Sequence, residues 1–284
     1  MAVQHNGAAT ASIAATSGRL SSNPPGGTMA ETLQDSEYRV PALERGLKLL
    51  GLFNARTRSL GINDMAERLG VSPSALYRIV QTLQDMGYLN KRERNLYELG
   101  ARVISDGFAY LSSRDIVEIA LPHLNALRDS TSLSCHLSIR EHTDVLYIYR
   151  AFAPQRLTVN IPVGTRLPCH VTALGRMLLT GLDEEALAQL YQQVRLDDYP
   201  SPAPRTLLEL QQTIVDDRQR GWVLHRSDYS TAIATSISDR TGQVVAAINL
   251  SGPEAVLASA ATEQRYVQLL RETAEAIAQE LLAG

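Results

Sequence analysis

The sequence predicts an α+β protein in two parts. A small helical module closed by a short β-ribbon comes first, followed by a larger domain of helices on a mostly antiparallel sheet. Three observations predict it. Residues 62–97 read as helix, tight turn, second helix and basic hairpin. From residue 134 onward, segments that alternate with a two-residue period are interspersed with amphipathic helices, without repeated βαβ units. Charge is divided as well: residues 41–112 carry ten Lys/Arg against seven Asp/Glu, whereas residues 113–284 carry fifteen against twenty. A mildly basic front part suits a polyanion, and an acidic remainder does not.

At 284 residues and 44% hydrophobic content the chain can bury two cores. No run approaches the ~18 apolar residues of a membrane helix, and no apolar stretch follows a basic start. The expected location is therefore the cytoplasm, with no membrane partner. Cys135 and Cys169 are too few and too irregularly spaced for a disulfide framework or a zinc cluster, and are expected as buried thiols. No catalytic residue, cofactor or metal is expected. Cys169 and His170 superficially offer a nucleophile beside a base, but adjacent side chains seldom point together and no third group orients the histidine. A metal site would need Cys135, His136, Cys169 and His170 to converge in space.

Residues 1–37 are rich in Ala, Ser, Thr and Gly, hold the turn cluster NPPGG at 23–27 and show no periodicity, so a disordered tail is expected; Met29 is an alternative start. Residues 38–100 form the first module. Pro41 suits a first helical turn, and Leu43, Gly46, Leu47, Leu50 and Phe53 recur at helical spacing toward the core. Asn63 is expected to cap the second helix, with Asp64 in its first turn and Met65, Ala66 and Leu69 inward before Gly70 ends it. Ser72-Pro73 supplies an N-cap and N1 proline for a third helix, with Ala75, Leu76, Ile79, Val80, Leu83 and Met86 on its apolar face.

The opposite face of that helix presents Ser72, Ser74, Tyr77, Arg78 and Gln81, hydrogen-bonding groups toward its N-terminus. That is where a recognition helix meets base edges in the major groove of double-stranded DNA. Gly87 then ends the helix, and Tyr88 and Leu89 are expected to pair with Leu96 and Leu99. Lys91, Arg92 and Arg94 project from the ribbon, placed for phosphate or minor-groove contact. The succession is that of a winged helix-turn-helix. A connector helix is expected over 101–113, where Val103, Ile104, Phe108 and Leu111 give an apolar face suited to a partner copy. A dimer would set two recognition helices on a pseudo-palindromic operator.

Residues 114–284 form the second domain, for effector binding and oligomerisation. A helix carries Ile116, Ile119, Ala120, Leu124 and Leu127. Strands are expected over 134–140, 144–150, 157–161, 222–225, 232–238 and 244–250, with helices after Pro168, at 183–193 and at 206–220. A long helix at about 257–282 closes the chain. Tyr147 and Tyr149, two apart, are expected on one face with His136 across the hairpin, which hints at an aromatic or hydroxylated ligand.

Four motifs in order, RVPALERGLKLL, SPSALYRIVQTLQDMGYL, LPCHVTALGRMLL and VVAAINLSGP, make residues 39–283 resemble the IclR-type transcriptional regulators. The resemblance implies a winged helix-turn-helix, a linker helix and a GAF-like, profilin-like effector domain. It further implies a homodimer or homotetramer that represses or activates a catabolic operon in response to a small organic acid. After the His170 turn, the helix beginning near Val171, Thr172 and Ala173 exposes N–H groups and a positive dipole end to a carboxylate. By position in similar proteins, Asp228, Ser236, Asn249 and Ser251 complete the pocket. This chain departs from the family between Trp222 and Ser236, where the segment is shorter and Thr-Ser-Ile replaces Ala-Pro-Val, so the Ser236 hydroxyl binds either ligand or backbone. The alternative to a ligand-controlled regulator is a ligand-independent architectural DNA-binding protein.

Overall fold

The computed structural model describes residues 39–113, 115–153, 161–200, 202–226, 231–257 and 259–283. The tail expected at 1–37, most of the strand expected at 157–161, and Asp228 lie outside the described residues. Ile161, at the end of that expected strand, is described and is not in one.

The first unit contains α1 (Pro41–Leu50), β1 (Leu60–Gly61), α2 (Ile62–Leu69), α3 (Pro73–Asp85), β2 (Leu89–Lys91) and β3 (Leu96–Leu99). Leu49, Met65, Leu76, Val80 and Leu89 fill its core at 0–1% exposure, each worth about 1.5–3 kcal/mol relative to solvent. α1 differs from expectation. Leu43 and Leu47 are 60% and 62% exposed. The helix approaches α3 at Gly46, where a Cβ would sit 3.5 Å from Ile79 Cγ2, so only a narrow side faces inward. Ala75 of α3 and Met86, the residue that follows it, are likewise exposed rather than inward.

Asn63 is not the cap of α2. Gly61 holds the N-cap position because β1 pairs with β3, Leu60 opposite Tyr97 and Gly61 opposite Leu96, which carries the chain straight into the helix. The Asp64 carboxylate accepts the Gly61 N–H at 3.2 Å, the return half of a capping box. Gly70, at φ +65°, closes α2 in the left-handed region that residues with a Cβ enter at a cost. α3 starts as its sequence requires: Ser72 Oγ accepts the Ala75 N–H at 3.3 Å and Pro73 takes the first turn.

α4 (Arg102–Ser112) leads to α5 (Asp115–Thr131) and a six-stranded sheet of order β6-β5-β4-β9-β8-β7 in which all neighbours are antiparallel. Its strands are β4 (Ser134–Glu141), β5 (Asp144–Ala151), β6 (Arg166–Pro168), β7 (Val223–Arg226), β8 (Thr231–Ser238) and β9 (Val244–Gly252). α5 and α9 (Ala260–Ala283) cover one face, with Leu137, Ile233, Ile248, Leu250 and Leu270 between them. α6 (Ala173–Leu179), α7 (Glu184–Tyr191) and α8 (Leu207–Arg220) lie on the other, around Tyr147, Met177, Leu210 and Ala247. The short edge strand β6 escapes sequence analysis because three residues cannot show an alternation.

Tyr147 and Tyr149 do not share a face. The β4–β5 register shifts between Leu137 and Ser138, so that Leu137 faces Tyr149 while Ser138 faces Tyr147 and Ile148 is the extra residue. The Tyr149 hydroxyl reaches Asn125 Oδ1 of α5 at 3.2 Å, whereas Tyr147 packs among the residues under α6. A bulge changes the parity that a period-two reading assumes.

Candidate DNA interface and effector site

Leu76 and Val80 point into the core of the first unit. At 100° per residue, Ser74, Tyr77, Arg78, Gln81 and Asp85 fall on the opposite arc of α3. Tyr77 is 54% exposed. Ser72 is committed to its cap and lies 3.2 Å from Ser74 Oγ, so its oxygen serves the helix first. Gln81 Nε2 donates to Asp85 Oδ1 at 3.1 Å, which orients the amide and leaves its carbonyl oxygen as an acceptor. On the ribbon, Arg92 pairs with Glu98 at 2.5 Å and is held along the wing. Lys91 is exposed, and Arg94 stands at the tip in a left-handed conformation, φ +59°. The expected DNA contacts thus divide into groups aimed outward, Tyr77, Arg78, Lys91 and Arg94, and groups already held in a hydrogen bond or ion pair, Ser72, Ser74, Gln81 and Arg92.

The second site lies between the sheet and α6. Residues opposite each other in an antiparallel ladder point to the same face. One row across the sheet is Arg150, His136, Asn249 and Ala234. The rows beside it hold Ser134, Ser251 and Ala232, and Tyr147, Ser138, Ala247 and Ser236. Three expected residues, Ser236, Asn249 and Ser251, are therefore brought onto one face. Asn249 Oδ1 accepts the His136 backbone N–H at 3.1 Å and lies 2.9 Å from His136 Nδ1. The Tyr147 ring meets the His136 ring edge to face at 5.5 Å. His136 and Ser138 are fully buried, and His136 Nε2 and Ser138 Oγ have no hydrogen-bond partner among the described residues.

Above this floor, Cys169–Val171 forms a single tight turn and Thr172 caps α6, its hydroxyl accepting the Gly175 N–H at 3.0 Å. The first N–H groups of the helix, on Ala173 and Leu174, are those a helix start leaves without an intrahelical acceptor. Gly175 is required here by space. A Cβ would stand 2.2 Å from Cys169 Cα, so only glycine lets α6 fold back on its own turn. α6 is fixed to α8 by a two-pronged ion pair, Arg176 Nε and Nη2 donating to Asp217 at 2.7 Å each, with Asp217 fully buried. The His170 ring packs against Tyr191 and Tyr199 at centroid distances of 5.7 and 4.4 Å and is 1% exposed.

Residues 42–93 match the model of the IclR helix-turn-helix domain, and residues 108–279 match that of the bacterial transcriptional regulator IclR C-terminal domain. The chain belongs to the IclR family. It is a DNA-binding transcriptional regulator with a C-terminal ligand-binding domain. It is 31% identical over 233 residues to the Pca regulon regulatory protein of Pseudomonas putida, spanning 81% of this chain and 80% of that one. A Rhodococcus sp. RHA1 protein described as a transcriptional regulator superposes with a TM-score of 0.74 at 30% identity, over 86% of this chain and 98% of its own. An IclR homologue from Microbacterium hydrocarbonoxydans, solved with 4-hydroxybenzoate, superposes with a TM-score of 0.73 at 24% identity, over 86% and 100% of the two chains.

In this IclR-family chain, Arg150, Ser134 and Ser138 join the site without having been legible beforehand. Their signal was present: Ser134, His136 and Ser138 alternate with Leu133, Cys135 and Leu137. Alternation of that kind ordinarily marks a solvated side, and here the polar side is buried. Burial also sets the chemistry. It holds His136 at about 4, despite the hydrogen bond to Asn249 Oδ1 and helped by nearby Arg150, and His170 at about 4, so both rings are neutral at pH 7. It pushes the Cys135 and Cys169 thiols up to about 12. Cys169 therefore lacks the thiolate that a nucleophile beside His170 would need. Cys135 faces the α5–α9 side while His136 faces α6, and no group of three or more His, Cys, Asp or Glu among the described residues stands where it could hold a metal ion. No described helix is long and apolar enough to cross a membrane.

Proposed function

We propose that this regulator controls a catabolic operon as a homodimer or homotetramer on a pseudo-palindromic operator, and that a small organic acid bound beneath α6 sets its affinity for DNA. Residues 38–100 read the operator, 101–113 connect, and 114–284 bind the effector and oligomerise. The observation that carries the effector reading is the buried polar floor. Two polar atoms there, His136 Nε2 and Ser138 Oγ, have no partner among the described residues, and orphaned groups of this kind cost about 1–3 kcal/mol each unless something meets them. Ser236, Asn249 and Ser251 line the same face, and beyond the His170 turn and the Thr172 cap the start of α6 offers the N–H groups of Ala173 and Leu174 from above. The relative from Microbacterium was captured with 4-hydroxybenzoate, which makes acids of that kind the first probes.

Self-association is supported by the apolar side chains left outside both cores. Ile104 and Phe108 of α4 are 75% and 67% exposed. Separately, Leu43, Leu47 and Met86 are exposed along a groove of about 670 Å³ between α1 and α3. A ligand acts by binding one arrangement of domains or protomers better than another, since equal affinity for both shifts nothing. α4, the only described covalent path between the two units, is the lever.

The test is binding of the full chain to DNA upstream of its own and neighbouring genes, with and without candidate acids. Arg78→Ala is expected to remove about 1–3 kcal/mol of base discrimination while leaving the fold intact. Asn249→Ala with Ser251→Ala is expected to bind DNA normally but lose the effector response. Binding that is uniform across sequences and indifferent to every acid would identify the architectural alternative instead.

A further inference from the structure

Resting on the reading of the α6 site as an acid pocket, we propose that it selects a hydroxy acid, with the carboxylate held by Arg150 and the hydroxyl donated to His136 Nε2. The hydrogen-bond pattern fixes the histidine's half of this. A backbone N–H can only donate, so the Asn249 atom 3.1 Å from the His136 nitrogen is its carbonyl oxygen. That same oxygen lies 2.9 Å from His136 Nδ1, which must therefore carry the ring proton. Nε2 is left as a bare lone pair. It is fully buried and has no partner among the described residues, so what meets it must bring a proton to donate.

Arg150 supplies the second half. Its Cα is paired with that of His136, so its side chain leaves the same face of the sheet. It is half-buried, its guanidinium carbon 5.6 Å from the Phe152 ring centroid, and no carboxylate pairs with it among the described residues. A half-buried guanidinium beside neutral His136 is matched by a carboxylate, which it can bind with two parallel bonds. The two residues start from opposed positions on adjacent strands, about 4.8 Å apart, a separation that one small molecule is long enough to bridge. The neighbouring cation also selects among donors for Nε2: an ammonium would bring like charge against Arg150, whereas a hydroxyl does not.

The test is calorimetric titration of the full chain with 2-, 3- and 4-hydroxybenzoate and mandelate, each beside its deoxy counterpart, benzoate or phenylacetate, and its methyl ester. At least one hydroxy acid is expected to bind on the order of 10- to 100-fold tighter than both its deoxy acid and its ester. Arg150→Met should bring acid and ester to the same affinity, with Arg150→Lys restoring part of the difference, and His136→Phe should bring hydroxy and deoxy acid together. An acid preference that survives Arg150→Met, or a hydroxyl whose removal changes nothing in the wild-type chain, overturns the assignment. The ligand comparisons in the wild-type chain hold even where a variant fails to fold. If no acid in the panel binds the wild-type chain, the acid-effector reading itself falls, an outcome distinct from acids that bind without using Arg150.

Discussion

Asp217→Asn keeps the shape of a buried side chain and removes its charge, leaving the Arg176 guanidinium facing an amide. Breaking a buried pair by neutralising one partner typically costs about 3–5 kcal/mol, because the remaining charge stays desolvated. The Arg176 side chain retains 21% exposure, so water recovers part of that penalty and the expected loss is about 2–4 kcal/mol. This is a large fraction of the roughly 5–15 kcal/mol that holds a domain together. Trp222, the only tryptophan, follows α8 and reports on this domain. Urea unfolding followed by its fluorescence should therefore show a lower midpoint with an unchanged slope. Adding Arg176→Met removes the stranded charge, and the double variant should return to within about 1 kcal/mol of the wild type. A single Asp217→Asn variant within about 0.5 kcal/mol of the wild type would refute the claim that this pair holds α6 over the sheet.

Two further outcomes follow from the same region. Gly175→Ala drives a methyl group to 2.2 Å from Cys169 Cα, against backbone that cannot step aside; a loss of about 1–3 kcal/mol, seen as a lower thermal midpoint, is expected, and an unchanged midpoint would show that the turn yields. For pH, His136 and His170 are held near 4 by burial against an unfolded value near 6.5. The unfolded chain thus takes up protons first as pH falls, and stability present above about 6.5 is lost on the way down to 4, by up to about 3 kcal/mol for each ring. Urea midpoints measured from pH 7.5 to 4.5 should fall steeply over that interval and less so in His136→Phe, and a flat profile would contradict the buried neutral rings.

The sequence by itself determined the recognition module, because its signals are local. Ser72-Pro73 starts α3, and Gly70 ends α2, through hydrogen bonds and backbone torsions within a few residues of each other. Even the face of α3 that carries Tyr77 and Arg78 follows from a helical period no distant contact alters. The parity of β5 and the membership of the α6 site were decided by tertiary structure. One extra residue at Ile148 sends Tyr149 to α5 and leaves Tyr147 under α6, while strand register puts Arg150 on one side of His136 and Asn249, 113 positions from that histidine, on the other. Asn63 yielded the cap for a similar reason, since the pairing of Gly61 with Leu96 settles where α2 begins. Local chemistry fixes where elements start and stop; which side chains meet across a sheet depends on pairings between distant segments, and a single strand carries no record of its partner's register.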